Sequence, residues 1–294
     1  MSKWPTGLLR GAGLARMTLR GVGQVFLRGH AGAGLCFLAA VAAQSAALVL
    51  ACLLGALTGT LWGLRHGRRA DCEAGLHGYN GALAGIAVLI ALPSTPLAWA
   101  LAAGLAWLAT WMAAAWRRRL PGSPYTAPFI LVTWLLLAAI PVAGWTPAEA
   151  VVPAAAADGA AAWLAALLRG VGQVMFLDDP LAGALCVLGL AWAAPSAAGR
   201  ALAASALMLA AGWLLGLPAD PWRMGLYGFN AVLASEAIHQ ALPGRRAAWC
   251  AGLALSLLLL RGFQLLDWPA LTAPFVLATW GVRLGCRPLS LFKA

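Results

Sequence analysis

The chain has 294 residues, of which 62% are hydrophobic and only 10% charged, with a mean hydropathy of +0.83. That leaves too little polar surface for a soluble domain, which carries roughly 25% charged residues, so the sequence is read as an all-α integral membrane protein. A net charge of +11 does not point to nucleic acid, because the arginines lie in short loops between apolar segments instead of forming one dense basic face.

The first apolar segment covers residues 3–20, but Lys3, Arg10, Arg16 and Arg20 suit an interfacial helix equally well. It runs into LRGVGQV, Leu19 to Val25, then a polar break at Arg28-Gly29-His30 and a further apolar stretch. Two half-length apolar pieces around a polar break predict a re-entrant tilted element, tolerated at membrane depth only where protein or a pore surrounds it. Spans are predicted next over 47–64, 75–92, 97–116 and 126–146. The second half opens with a span over 150–168, and LRGVGQV returns letter for letter as Leu168 to Val174. A second re-entrant element, broken at Asp178-Asp179-Pro180, follows. Spans over 200–217, 224–242, 247–262 and 271–287 complete the chain.

Two more blocks recur in the same order. GLHGYNGALAG (Gly75–Gly85) matches GLYGFNAVLAS (Gly225–Ser235), and YTAPFILVTW (Tyr125–Trp134) matches LTAPFVLATW (Leu271–Trp280). Three matched blocks at a spacing of about 150 residues indicate an internal duplication, with halves 1–147 and 148–294. Charge gives their orientation. Arg65, Arg68 and Arg69 precede the first-half YN helix, whereas in the second half the basic loop, Arg245-Arg246, follows the FN helix. By the positive-inside rule the two helices run in opposite directions, as five spans per half require. The expected architecture is therefore a pair of inverted repeats whose functional site lies where they meet near the midplane.

Groups able to do chemistry are few. The six cysteines stand singly, without C-x-x-C pairs or histidines at ligand spacing, so no disulfide framework, metal or cofactor is expected. Asp71, Glu73, His66 and His77 adjoin a basic loop and read as a solvated membrane face, and nothing supports an enzyme. Glu236 has two open readings, an acid facing a cavity or one near the cytoplasmic helix end beside His239. The second is preferred, since an unpaired acid deep in lipid is costly. The duplicated groups are neutral: Gln, Thr, Asn, aromatic rings, and leucines one turn after each ring. Tyr79 with Leu83, and Phe229 with Leu233, share helix faces. Flat apolar walls with a few fixed hydrogen-bonding groups suit a small planar uncharged solute, whereas an ion would gain too little to offset its desolvation.

With its GVGQV segments, its G-[YF]-N-x-x-L blocks and its paired T-A-P-F segments, the chain resembles the urea transporter family of bacteria and animals. WPALTAPF (Trp268–Phe275) is close to that family's LP-x-x-T-x-P-F signature, and LPGSPYTAPF (Leu120–Phe129) is a looser version. The resemblance implies a channel-like facilitator in a cell's inner or plasma membrane, homotrimeric, with one urea pore per protomer in contact with membrane lipid. It implies one slot from Gln24, Val25, Tyr79 and Leu83, and another from Gln173, Val174, Phe229 and Leu233. Leu27 and Phe176 would add slot walls, and Thr126 and Thr272 would meet at the centre. Leu27 is aliphatic where the pattern has a ring, and Tyr79 adds a hydroxyl. Competing readings are a channel for ammonia or short amides, and a scaffold whose repeats only pack helices.

Overall fold

The computed structural model describes residues 11–148 and 159–286. Among these the secondary structure is entirely helical. α1 (Gly11–Gly23) runs into a single 3-10 turn at Gln24–Phe26 and is followed by α2 (Ala31–Gln44), α3 (Ala46–His66) and the short α4 (Arg69–Glu73). α5 (Tyr79–Ala91), α6 (Pro96–Arg119) and α7 (Ala127–Val142) complete the first set. The second set has the same order: α8 (Gly159–Gly172) with a 3-10 turn at Gln173–Met175, then α9 (Pro180–Ala193), α10 (Pro195–Leu214) and α11 (Ala219–Arg223). It ends with α12 (Phe229–Ala241), α13 (Arg246–Leu265) and α14 (Ala273–Gly285).

Alanine and leucine dominate these helices, and both have high helix propensity. Their starts are written in polar residues. His30 accepts from the Ala33 amide at 3.1 Å to cap α2, and Asp179 at the matching position accepts from Leu181 and Ala182 at 2.6 and 3.3 Å to cap α9. Thr95 caps α6 ahead of Pro96, whose missing N–H costs nothing in the first turn.

Helices pack through glycines. A Cβ added to Gly34 would lie 2.0 Å from the Leu19 carbonyl oxygen, and one on Gly183 would lie 2.1 Å from that of Leu168. The same contact is thus made twice, α2 on α1 and α9 on α8, with backbones close enough to exclude any side chain. In lipid such close packing replaces the hydrophobic drive that holds soluble helices together. The core lies between the two sets, where α2 packs on α9 and the fully buried Phe37, Phe129 and Phe275 sit together with Leu83 and Leu233. Leu50, Leu135, Leu188 and Leu258 are exposed, as suits the lipid-facing wall of a multi-pass membrane protein.

The predicted segments need correction at several ends. Residues 3–10 and 150–158 lie outside the described residues. α1 and α8 carry GVG inside their last turns, so the repeated block ends the first helix of each set and does not begin a separate element. Each pair then bends sharply, α1 against α2 by 74° and α8 against α9 by 71°. Among the described residues four helices, α3, α6, α10 and α13, are long and apolar enough to cross a membrane, or six spans if each bent pair counts as one. The expectation was ten, two of which fall partly outside the described residues. The predicted spans 75–92, 126–146, 224–242 and 271–287 shrink to helices of 13 to 16 residues. These are about 20–24 Å long, short of a bilayer core of about 30 Å. The entries of α5, α12 and α14 are lost to left-handed backbone at Gly75, Gly225 and Leu271, which no α-helix accommodates, while α7 loses its exit, where Gly144 is left-handed.

Gly34→Ala and Gly183→Ala each press a methyl group into a backbone carbonyl, which cannot rotate away. Their cost is expected at or above the about 1–3 kcal/mol typical of overpacking. Size-exclusion chromatography in detergent should show loss of the monodisperse peak. Gly104→Ala, where nothing lies within 4 Å of the new atom, should behave as wild type.

Candidate functional site

The twin 3-10 turns are built identically. After Gln24-Val25-Phe26 the chain turns at Leu27, with φ of 59°, and after Gln173-Val174-Met175 it turns at Phe176, with φ of 63°. The arginine of each LRGVGQV block ties the turn region to the end of the neighbouring short helix. Arg20 donates to the Glu73 carbonyl at 2.6 Å, and Arg169 to the Arg223 carbonyl at 3.1 Å. Each glutamine does the same one residue further on: Gln24 Nε2 donates to the Ala74 carbonyl at 2.8 Å, and Gln173 Nε2 to that of Met224 at 3.2 Å. A carbonyl neighbour fixes the amide orientation, since only the NH2 side can face an acceptor. Both glutamines are half-buried. Among the described residues no donor meets either Oε1, which leaves an oriented acceptor in each turn.

The TAPF segments form the second duplicated element. Tyr125 and Leu271 are also left-handed, at φ of 46° and 47°, immediately before Thr126 and Thr272. Asn80 bridges this break in the first set, with Nδ2 donating to the Tyr125 carbonyl at 3.2 Å and Oδ1 accepting from the Phe129 amide at 3.1 Å. Asn230 repeats the bridge on Leu271 and Phe275 at 3.2 and 3.0 Å. The threonines so presented meet: Thr126 Oγ1 and Thr272 Oγ1 are 2.7 Å apart, 2% and 3% exposed. Residues from the two halves of the sequence thus close on one point.

Four left-handed non-glycine residues, Leu27, Tyr125, Phe176 and Leu271, therefore surround the region, and each carbonyl receives a side-chain amide. Gln240 Nε2 reaches Leu27 at 3.0 Å and Gln44 Nε2 reaches Phe176 at 3.4 Å, while the asparagines serve the other two. Each glutamine crosses from one set of helices to the other.

The remaining sequence-identified residues form the walls. Val25, Val174, Tyr79, Leu83, Phe229 and Leu233 are buried in one continuous apolar cluster, with Leu27 and Phe176 packed against it half-buried. The Phe176 ring meets Phe129 edge-on at 6.0 Å, and Tyr125 meets Phe275 edge-on at 5.3 Å. The added hydroxyl of Tyr79 is satisfied within the protein, donating to the Tyr125 carbonyl at 2.7 Å. The structure thus brings the two threonines into direct contact and gives each Gln the same partner position. The bridging roles of Asn80 and Asn230 were not assigned from sequence, although both asparagines sit inside the repeated G-[YF]-N blocks.

Two sequence readings change. Glu236 is 6% exposed and its partners are Arg28, Arg200 and Gln240, not His239. His77 does not lie on a solvated face. It is buried, and Arg117 Nη2 donates to its Nδ1 at 3.1 Å, whereas Glu73 pairs with Arg69 at 2.8 Å on the surface.

Comparison with known proteins gives one family match: the family model described as "UT: Urea transporter" aligns with residues 15–286. A search of curated proteins returns no match. The matched range contains both glutamine turns, both asparagine bridges and the threonine pair.

Asn230→Ala leaves the Leu271 carbonyl and the Phe275 amide without partners, each worth about 1–3 kcal/mol when buried. The expected result is a lower midpoint of thermal unfolding in detergent, followed by tryptophan fluorescence. Asn230→Asp should also lower the midpoint, because a carboxylate still accepts from the Phe275 amide but cannot donate to the Leu271 carbonyl. An unchanged midpoint in both would remove the bridge from the account.

Proposed function

This chain belongs to the urea transporter family, a family of channel-type transporters and not enzymes, and we propose that it conducts urea through a path lined by its duplicated residues. Family membership carries passive urea transport across a membrane. The finer reading is a narrow aromatic-walled pore. Gln24, Val25, Leu27, Tyr79 and Leu83 line one slot, Gln173, Val174, Phe176, Phe229 and Leu233 line the other, and Thr126 and Thr272 stand between them. The halves 1–147 and 148–294 are inverted repeats in this proposal, each slot serving one mouth. Three such protomers assemble in the inner or plasma membrane, as the family resemblance implies.

The observation that carries the reading is the hydroxyl pair, Thr126 to Thr272 at 2.7 Å, flanked by two turns that each present an oriented amide oxygen. Urea is flat and uncharged, with N–H donors on two sides and one carbonyl acceptor. Ring faces and leucines receive its plane, and each Gln Oε1 takes an N–H as water is shed. The threonine pair exchanges its mutual hydrogen bond for bonds to the solute, since a hydroxyl both donates and accepts. Each hydrogen bond that urea gives up to water is replaced by one of similar strength to the protein, so the barrier stays low. A sodium or chloride ion finds no opposing charge among these residues and keeps its desolvation cost.

Stopped-flow shrinkage of proteoliposomes tests this directly. Urea flux should exceed that of empty vesicles, and a proton or sodium gradient should drive no accumulation. Thr272→Val keeps the shape and removes one hydroxyl, an exchange worth about 1.4 kcal/mol, so urea flux should fall about tenfold. Thr126→Leu should block flux in a folded protein. Unchanged rates in both variants would move the central site elsewhere.

A further inference from the structure

The two halves are not equally held. At the first turn, one face of α12 carries Phe229, Leu233, Glu236 and Gln240 along a single stripe, since these positions are spaced by helical repeats of three and four. The first two are proposed walls of the second slot. The last two grip the first turn: Gln240 holds the Leu27 carbonyl at 3.0 Å, and Glu236 Oε1 pairs with Arg28, the next residue along. Gln240 also donates to Glu236 Oε1 at 2.8 Å, and Arg200 of α10 occupies Oε2 at 2.8 Å. One carboxylate thus joins the first turn, α12 and α10.

The other half has no such lock. At the matching positions Ile86 stands for Glu236, Leu177 for Arg28 and Ile90 for Gln240. Across the halves the second turn is held by neutral Gln44, which donates to the Phe176 carbonyl at 3.4 Å and accepts from the Asp178 amide at 3.3 Å. Within its own half Arg169 Nε donates to the Asp178 carbonyl at 2.6 Å. Burying Glu236 and half-burying two arginines in a membrane protein is expensive, and this network does not recover all of the cost. Arg28 Nε and Arg200 Nε are both buried with no acceptor among the described residues. Ion pairs of this kind are weak contributors to stability, and their best-attested use is to fix a register.

We propose that the Arg28–Glu236 pair is a specificity-determining device that fixes the width of the first slot. It sets the position of the Gln24–Leu27 turn, one wall of the first slot, against α12, whose stripe walls the second slot. Arg28 and Glu236 act as positioning residues and touch no solute. The inference rests on the slot reading above. Breaking the pair lets the turn draw away from α12, so the path admits bulkier planar amides while urea still passes.

The test is the ratio of N-methylurea to urea permeability in proteoliposomes of the full chain. A fitted pocket rejects one added methyl group by about tenfold or more, so Arg28→Gln should raise the ratio by at least about threefold. Glu236→Gln should raise it similarly. Arg200→Gln removes a charge from the same network but leaves the turn tied to α12, and its ratio should match wild type. A purely structural role would make Arg28→Gln and Arg200→Gln alike. Equal ratios in these two variants, or no change with Arg28→Gln, would overturn the proposal. Should Glu236→Gln fail to fold, Arg28→Gln decides alone, because its carboxylate remains paired with Arg200. Absence of wild-type urea flux would instead overturn the transport reading on which this one rests.

Discussion

A helix broken inside a bilayer exposes carbonyls and amides that lipid cannot satisfy, each unmet group costing several kcal/mol. Around one region of this protein four non-glycine residues are left-handed, each at a cost of roughly 1–2 kcal/mol. Leu27 and Phe176 come after the 3-10 turns that follow α1 and α8, and Tyr125 and Leu271 lie in the loops that lead into α7 and α14. The breaks persist because a side-chain amide meets each freed carbonyl: Gln240, Asn80, Gln44 and Asn230 in turn. An amide suits this task since it donates and accepts without charge. Asn80 and Asn230 use both ends, taking a carbonyl before the threonine and an amide after it. These bridges tie each loop to the first turn of α7 and α14, where Thr126 and Thr272 meet.

From that constraint the rest of the site follows. A left-handed residue directs the chain back on itself within a single step, which ends α1 and α8 and lets α2 and α9 return at 74° and 71°. The return is sharp enough to bring Gly34 onto Leu19 and Gly183 onto Leu168, where only glycine fits. The glutamines of the two turns, already committed through Nε2 to Ala74 and Met224, then hold their oxygens in fixed directions. Two short helices, α5 and α12, start beside the turns and carry both the bridging asparagines and the apolar walls. Polar function and apolar wall thus lie on the same short helices, for the same geometric reason.

The duplication made much of this legible in sequence. Gln24 and Gln173, or Thr126 and Thr272, are identifiable because each occurs twice in matching surroundings, and the contact between the threonines follows once both halves converge. The helix lengths were not legible, since hydropathy is blind to the backbone sign at Gly75, Gly225 and Leu271. Gln44 and Gln240 were hidden for a different reason. Neither has a duplicate, and each reaches across to a turn in the opposite half, far away in sequence. The same holds for Glu236, whose partner Arg28 belongs to the other half and whose nearer neighbour His239 does not pair with it. Sequence periodicity reports what one helix face shares, but not which distant turn that face will meet.

Charge follows the same logic. Where an amide suffices to satisfy backbone in an apolar setting, an ionised group would add a desolvation cost without a better hydrogen bond, and only 10% of the residues are charged. Most of the described arginines sit in the first or last turn of a helix. Against that background the Glu236 cluster is an exception, placed where Gln240 already satisfies the Leu27 carbonyl and backbone demand is met. Its carboxylate does what a neutral amide could not, drawing two cationic side chains from separate elements onto one point. A hydrogen bond from Gln44 tolerates stretching to 3.4 Å at the second turn, whereas attraction between opposite charges falls off slowly with distance and keeps pulling as the gap opens. In the proposal above, the first turn, which carries the ion pair, is the more firmly tied of the two to the opposite half, and discrimination by size is assigned to the slot beside it.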